Sequence, residues 1–190
     1  METAKAILLH YVVDTRASRF TVQAFASGIL SAMGHNPKIG IRTFSGEVDF
    51  NADGPQAAGF RLSMKAISLG VLDDISDKDR REIERAMNEQ VLESARYPDI
   101  VYEAPNITVT RLEGSLYSAL LTGTLSFHGV TRNQSVTARI AVFDEILRAS
   151  GEFNLNQSDY SIKPVSFAGG ALKVKDELKF SFEMVARKQE

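Results

Sequence analysis

The histidines of the chain stand far apart in sequence, at His10, His35 and His128. A metal site needs several His, Cys, Asp or Glu side chains at ligand spacing, and three isolated histidines do not supply one. Residues 73–79 contain four aspartates, but no Glu follows at the spacing of a calcium-binding loop. Acids at a helix start, where the helix dipole favours them, are the better interpretation. We therefore expect no metal site.

Catalytic side chains are equally scarce. The sequence has no Gly-x-Ser-x-Gly motif and no glycine-rich phosphate loop, and it has no cysteine. Disulfides, thiolate nucleophiles and iron–sulfur clusters are thereby excluded. The acids Asp14, Glu152 and Asp159 could pair with a histidine, but no spacing selects such a set. We therefore expect no catalytic residue.

Length and charge limit the function classes further. The 190 residues, 44% hydrophobic and 24% charged, suffice for one domain over residues 1–190. A net charge of −2 argues against nucleic-acid binding, which needs a concentrated excess of Lys and Arg. The apolar run at residues 6–9 is too short for a signal-peptide core, and no apolar stretch is long enough for a membrane span. As written, the sequence predicts a soluble cytoplasmic protein, or a periplasmic or secreted one if a signal peptide has been removed.

Alternation of apolar and polar residues is the dominant pattern of the chain. It predicts about eight strands, mostly antiparallel because their connections are short. The apolar faces of these strands lie at Phe20–Ala26, Phe44–Phe50, Phe60–Ala66, Ile100–Ala104, Tyr117–Phe127, Val136–Val142, Gly151–Leu155 and Leu178–Met184.

One segment follows a helical pattern instead. Ser76 is a typical N-cap residue, with an acid three positions later. Apolar residues then recur at helical spacing, at Ile83, Met87, Val91, Leu92 and Ala95. The pattern predicts one amphipathic helix from 77 to 95, ended by the Tyr-Pro pair at residues 97–98.

The strands must bury one apolar face. Closing the sheet into a barrel does so and removes its edges. A barrel of about eight strands is either filled by its own side chains or holds one ligand. Small inward residues such as Gly46, Ala119, Gly123 and Gly151 favour a cavity. They could equally offset the many phenylalanines in a packed core, and the pattern leaves both alternatives open.

Five segments occur in an order that is specific in combination. They are residues 11–20 (YVVDTRASRF), 44–50 (FSGEVDF), 96–102 (RYPDIVY), 123–131 (GTLSFHGVT) and 157–162 (QSDYSI). Together they resemble the YceI-like family, lipocalin-like bacterial proteins associated with polyisoprenoid binding, and 123–131 is the strongest match. The chain departs from the family at Gln157, where a basic residue is expected, and at Tyr160-Ser161, which replaces a Phe-Gly pair.

The resemblance implies an all-β, lipocalin-like antiparallel barrel of about eight strands with one helix. Its lumen would hold an isoprenoid-type lipid, a polyprenyl phosphate or an isoprenoid quinone, without transforming it and with no other cofactor. Large inward-facing side chains would form the tube for the tail. They are Phe20, Val22, Phe44, Phe60, Leu62, Leu121, Phe127, Phe153, Phe180 and Phe182.

Two histidines have more local interpretations. His35 lies in a turn near a barrel mouth, where it could donate a hydrogen bond to a lipid head group or serve as a plain turn residue. His128 stands at a strand end, on the opposite parity from the neighbouring Phe127. We therefore predict that it is a hydrogen-bonding corner residue and not a lumen group.

Other functions remain open at this point. The barrel could be an enzyme acting on a small apolar substrate, or a filled interaction module that docks through its helix or its early hairpin. Ile29, Leu30 and Met33 in that hairpin could touch a membrane transiently or a partner. Edge strands could also pair two copies into a homodimer.

Overall fold

The computed structural model describes residues 8–27, 36–50, 59–164, 166–167 and 172–189. The strands are β1 (Leu9–Val13), β2 (Arg19–Ser27), β3 (Lys38–Ile41), β4 (Phe44–Phe50), β5 (Gly59–Lys65), β6 (Leu69–Val71), β7 (Asp99–Glu113), β8 (Leu116–Phe127), β9 (Val130–Phe143), β10 (Ile146–Asn156), β11 (Ser166–Phe167) and β12 (Leu172–Lys188). Helix α1 spans Asp77–Ala86 and continues into a π-helical turn at Met87–Val91. Short 3₁₀ turns lie at Ala66–Ser68 and Gln157–Tyr160.

The sheet closes on itself as an eight-strand antiparallel barrel. Three strands of the barrel are bent, and each is made of two consecutive segments: β1/β2, β3/β4 and β5/β6. Segments β1 and β2 both pair with β12; β4 and β3 pair with β1 and β2, and β5 and β6 pair with β4 and β3. Strand β12 pairs with β10 on one side and with both β1 and β2 on the other, which closes the ring. The predicted all-β barrel is therefore confirmed.

One end of the barrel is a packed core. Here the short β7–β8 and β9–β10 hairpins lie beside the pairing of β1 with the end of β12. Tyr11, Phe50, Leu147 and Ala186 are almost completely buried at this closed end. The rings of Phe50 and Tyr117 meet edge to face, with centroids 5.8 Å apart. This half of the barrel has the filled interior that the sequence pattern left open.

Helix α1 connects β6 to β7 at the opposite end. Its N-cap is Ser76, as predicted, and the Ser76 hydroxyl accepts a hydrogen bond from the Asp79 N–H at 3.1 Å. The predicted end at residue 95 is wrong. Glu93 has a φ of 43°, a left-handed conformation that stops helical hydrogen bonding soon after the π turn. Ala95 is exposed and does not belong to the apolar stripe.

Polar contacts hold α1 against β6. The Arg80 guanidinium donates to the backbone carbonyls of Val71 and, at 2.9 Å, Asp73. The Glu84 carboxylate accepts from the Val71 N–H at 2.9 Å. These contacts keep the apolar stripe of α1 turned toward the barrel. No helix in the described ranges is long and apolar enough to cross a membrane.

The inward glycines do not leave open space, contrary to the interpretation that favoured a cavity. A Cβ on Gly123 would lie 2.2 Å from the Glu103 carbonyl oxygen, next to a register shift in β7. One on Gly46 would lie 2.9 Å from the Val13 side chain, and one on Gly151 would lie 2.6 Å from a backbone oxygen. These glycines let neighbouring backbones and side chains approach closely.

Candidate functional site

An apolar cavity of about 190 Å³ lies between the packed core and α1. Its wall comes from inward residues of β2–β10 and β12. At the end of the barrel opposite the packed core, which we call the open end, the helix covers the cavity with the apolar stripe of α1 and its π turn. This stripe consists of Ile83, Met87, Val91 and Leu92. Among the described wall residues, only Tyr102 and Gln157 carry a polar side chain.

Nine of the ten side chains selected from the sequence for a lipid tube lie in this wall. They are Phe20, Val22, Phe60, Leu62, Leu121, Phe127, Phe153, Phe180 and Phe182. Phe44 is buried but not part of the wall. Its ring packs edge-on against Phe20, with centroids 4.8 Å apart, and supports that side chain from behind.

The phenylalanines of β2, β10 and β12 form one aromatic wall. The Phe153 and Phe180 centroids are 4.9 Å apart. The Phe20 and Phe182 rings are stacked at 6.3 Å. Phe20 and Phe180 are buried, whereas Phe153 and Phe182 are only partly so. Phe182 lies directly opposite Phe20, and Phe153 directly opposite Phe180, so the aromatic wall extends along the barrel from the first pair to the second.

The Tyr102 hydroxyl bonds to the backbone of the barrel wall. The hydroxyl donates to the Gln134 carbonyl at 3.0 Å, and the Leu121 carbonyl lies 3.4 Å away. Burial raises the pKa of Tyr102 to about 12, so the phenol stays neutral at physiological pH. Tyr102 therefore supplies surface area to the cavity and no ready proton donor or base.

Gln157 is the other polar residue of the wall. It begins the 3₁₀ turn that follows β10, and only 4% of it is exposed. Its Nε2 donates to the Lys175 carbonyl at 2.9 Å, which fixes the side chain between β10 and β12. Sequence reasoning noted Gln157 only as a departure from a family motif. Its place in the cavity depends on the 3₁₀ turn, which has no period-2 signal.

His128, another candidate from the sequence, lies outside the cavity wall. His128 is buried, with Nδ1 at 3.1 Å from the Tyr160 carbonyl and Nε2 at 2.9 Å from a Glu93 carboxylate oxygen. It thus ties the β8–β9 turn to the segment after α1, and the corner-residue prediction agrees with this geometry. His35 and the hairpin residues Ile29, Leu30 and Met33 lie outside the described residues.

The helix was missed as a part of the site. The sequence predicted an amphipathic helix without placing it in the lipid tube, yet Ile83 and Met87 line the cavity. The described residues contain no group of three or more His, Cys, Asp or Glu side chains that could hold a metal. Chemically, the arrangement offers an apolar enclosure with a single neutral amide near one end.

Comparison with known proteins agrees with this geometry. The family model of the YceI-like domain matches residues 11–186. BcnA of Burkholderia cenocepacia is 16% identical and superposes with a TM-score of 0.68, covering 91% of this chain and 98% of that one. A polyisoprenoid-binding domain from Saccharophagus degradans, implicated in plant cell wall breakdown, is 15% identical, with a TM-score of 0.68 and coverage of 94% and 98%.

A third solved structure, the YceI protein of Campylobacter jejuni, is 16% identical with a TM-score of 0.61 and covers 83% of this chain and 88% of that one. No curated protein matches the sequence. At these identities the structural likeness establishes the fold, while the family model establishes the relationship.

Proposed function

We propose that this chain, which belongs to the YceI-like domain family, binds an isoprenoid-type lipid inside its barrel and does not transform it. The observation that carries the proposal is the cavity, whose described wall is apolar apart from one tyrosine and one glutamine. The similar domain from Saccharophagus degradans is a polyisoprenoid-binding domain. Family membership and cavity chemistry thus support the same class of ligand.

The apolar wall favours a hydrocarbon tail. Burying a CH₂-sized group away from water contributes about 0.8 kcal/mol, so one five-carbon isoprene unit would contribute about 4 kcal/mol. The net gain is smaller when the lipid comes from a membrane, because its tail is then already out of water. The cavity therefore selects ligands by class and shape, and the tail provides most of the contact.

The present volume suits a short segment of such a tail. A dry cavity of roughly 150 Å³ takes up benzene, and this one measures about 190 Å³. A longer tail would extend toward the helix end of the barrel, along the partly exposed side chains of Phe153 and Leu178. We expect these side chains to change rotamer when the lipid enters.

Binding without chemistry follows from the same wall. General acid–base catalysis needs a titratable group within hydrogen-bond reach of the substrate. Within the described residues, Tyr102 is the only titratable group of the wall, and its pKa of about 12 and its bond to a wall carbonyl leave it unsuited to that work. Sequestration of the lipid is the function that this set of residues supports.

Mass spectrometry of an organic extract tests the proposal. The protein would be purified from bacteria without detergent, and lipid would be quantified per mole of protein. We expect a near-stoichiometric isoprenoid lipid. A variant with a narrowed cavity, Leu121→Trp, should carry much less, and the outward-facing Leu120→Trp should carry as much as the parent protein. Straight-chain lipid alone, or equal isoprenoid content in both variants, would contradict the proposal.

A further inference from the structure

Gln157 lies in the cavity wall just after the end of β10. It lines the cavity and is 4% exposed. Only the amide nitrogen can donate to the Lys175 carbonyl, so the orientation of the amide follows from that contact. That contact uses one of the two N–H groups of the amide. The second N–H and the amide oxygen are therefore the groups of Gln157 to consider for a contact with a bound molecule.

Nothing in the described wall would balance a charge beside Gln157. The wall contains no Lys, Arg, His, Asp or Glu among the described residues. Lys175 offers its backbone carbonyl to Gln157, and its side chain is exposed. An anion moved from water into such an enclosure loses its hydration and gains no opposite charge, which is far more costly than burying a neutral polar group.

A groove next to Gln157 has a similar character. Pairing of β9 with β10 stops at Ala138 and Gly151, and beyond that point the two strands separate. Amide side chains of β9 and β10 line the resulting groove, which shares Leu155 with the cavity wall. Its charged groups are one arginine and two acids. The arginine, Arg132, already donates to a backbone carbonyl. The groove therefore offers an anion no net positive charge.

From these observations we infer that the lipid held by this barrel has an uncharged, hydrogen-bonding head group, a hydroxyl or a carbonyl, which bonds to the side-chain amide of Gln157. The inference rests on the proposed function and narrows it to one class of head group. A hydroxyl can donate to the amide oxygen, and a carbonyl can accept a hydrogen bond from the second N–H. A phosphate would need a cation that the described wall does not provide.

Two ligands that share a tail test the inference. The delipidated full-length protein is titrated by calorimetry with a fifteen-carbon isoprenoid alcohol and with its monophosphate, both below their aggregation limits. We expect the alcohol to bind at least about tenfold more tightly. Equal binding, or tighter binding of the monophosphate, overturns the inference and leaves isoprenoid binding intact. Binding of neither compound overturns the proposed function itself, and the inference with it.

Variants at Gln157 separate a direct contact from a structural role. Gln157→Arg introduces a cation at the head-group position and should shift the preference toward the monophosphate. If Gln157 had a purely structural role, the substitution would weaken the binding of both ligands alike and leave the ratio of their affinities unchanged. That result would contradict a direct contact. Gln157→Leu should weaken the binding of the alcohol by about two- to tenfold. The matched control is Gln23→Leu, since Gln23 lies outside the cavity wall; both affinities should stay at parental values.

Discussion

Replacing Leu121 by Trp should close part of the cavity while the barrel remains folded. Leu121 is 8% exposed and lines the cavity from β8. The larger side chain adds about 60 Å³ at interior packing density, roughly a third of the 190 Å³ available. That volume corresponds to much of one isoprene unit, so we expect binding to weaken by about 2–4 kcal/mol, or some 30- to 1,000-fold.

The neighbouring residue supplies the control. Leu120 is 45% exposed and points outward, so Leu120→Trp makes the same chemical change on the other face of the strand. The free energy of unfolding of Leu120→Trp should stay within about 0.5 kcal/mol of the parent value. That of Leu121→Trp should fall by about 1–3 kcal/mol, because the larger side chain crowds the interior. Calorimetry with the fifteen-carbon alcohol and urea unfolding measure the two quantities separately.

One result would refute the reasoning. If Leu121→Trp remains folded and binds the alcohol as tightly as Leu120→Trp, then the tail does not occupy the cavity. Ala119 is not an equivalent site for the experiment. It is completely buried and is not part of the cavity wall, so a tryptophan there has no space to enter and should disrupt folding.

The remaining predictions concern stability and ionisation. Gly123→Ala should destabilise the barrel by about 1–3 kcal/mol, because its Cβ would overlap a backbone carbonyl of β7, whereas Gly59→Ala, with its nearest neighbour at 3.9 Å, should change stability by less than about 1 kcal/mol in urea unfolding. His128→Ala should lower the free energy of unfolding by about 1–3 kcal/mol, because the Tyr160 carbonyl and the Glu93 carboxylate lose their contacts with the buried ring, while the exposed His10→Ala should cost under about 1 kcal/mol; equal losses would show that the buried contacts contribute nothing. Ultraviolet titration of the parent protein should show the ionisation of one tyrosine near pH 12, and this step should be missing from the titration of Tyr102→Phe. Because its folded pKa lies above the ordinary value, its contribution to stability is present below pH 10 and is lost as the pH rises toward 12. Removing bound lipid should lower the unfolding temperature, and equal temperatures for loaded and delipidated protein would contradict interior binding.

The period-2 pattern predicted the strands well because a closed barrel has one buried and one exposed face along each strand. Phe20 and Leu121 were correctly expected on the inner face. The pattern does not report the height of a residue along the barrel axis. Phe44 and Phe20 both lie on the buried faces of their strands, yet Phe44 packs against Phe20 and is not part of the cavity wall.

The helix and the glycines show two other limits. The stripe through Ile83 and Met87 predicted an amphipathic helix, but its partner could not be identified until the helix was seen to cover the open end of the barrel. Its C-terminal boundary was placed too late, because nothing in the residue types indicates that Glu93 adopts a left-handed conformation. The sequence pattern could not decide whether Gly123 left room for a ligand or offset a larger neighbour, and the structure shows that a close approach of two backbones requires it.

The contrast between the two halves of the barrel is itself an argument for a ligand. At the closed end Tyr11 and Phe50 fill the interior, so the chain packs this fold tightly where nothing else is needed. An empty cavity costs about 24 cal/mol per Å³ relative to a filled one, which for 190 Å³ amounts to about 4–5 kcal/mol. Domains are typically stable by only about 5–15 kcal/mol. Leaving such a space unfilled at one end is therefore expensive unless a bound tail occupies it, and the aromatic wall of Phe20, Phe182, Phe180 and Phe153 provides a continuous apolar surface for that tail.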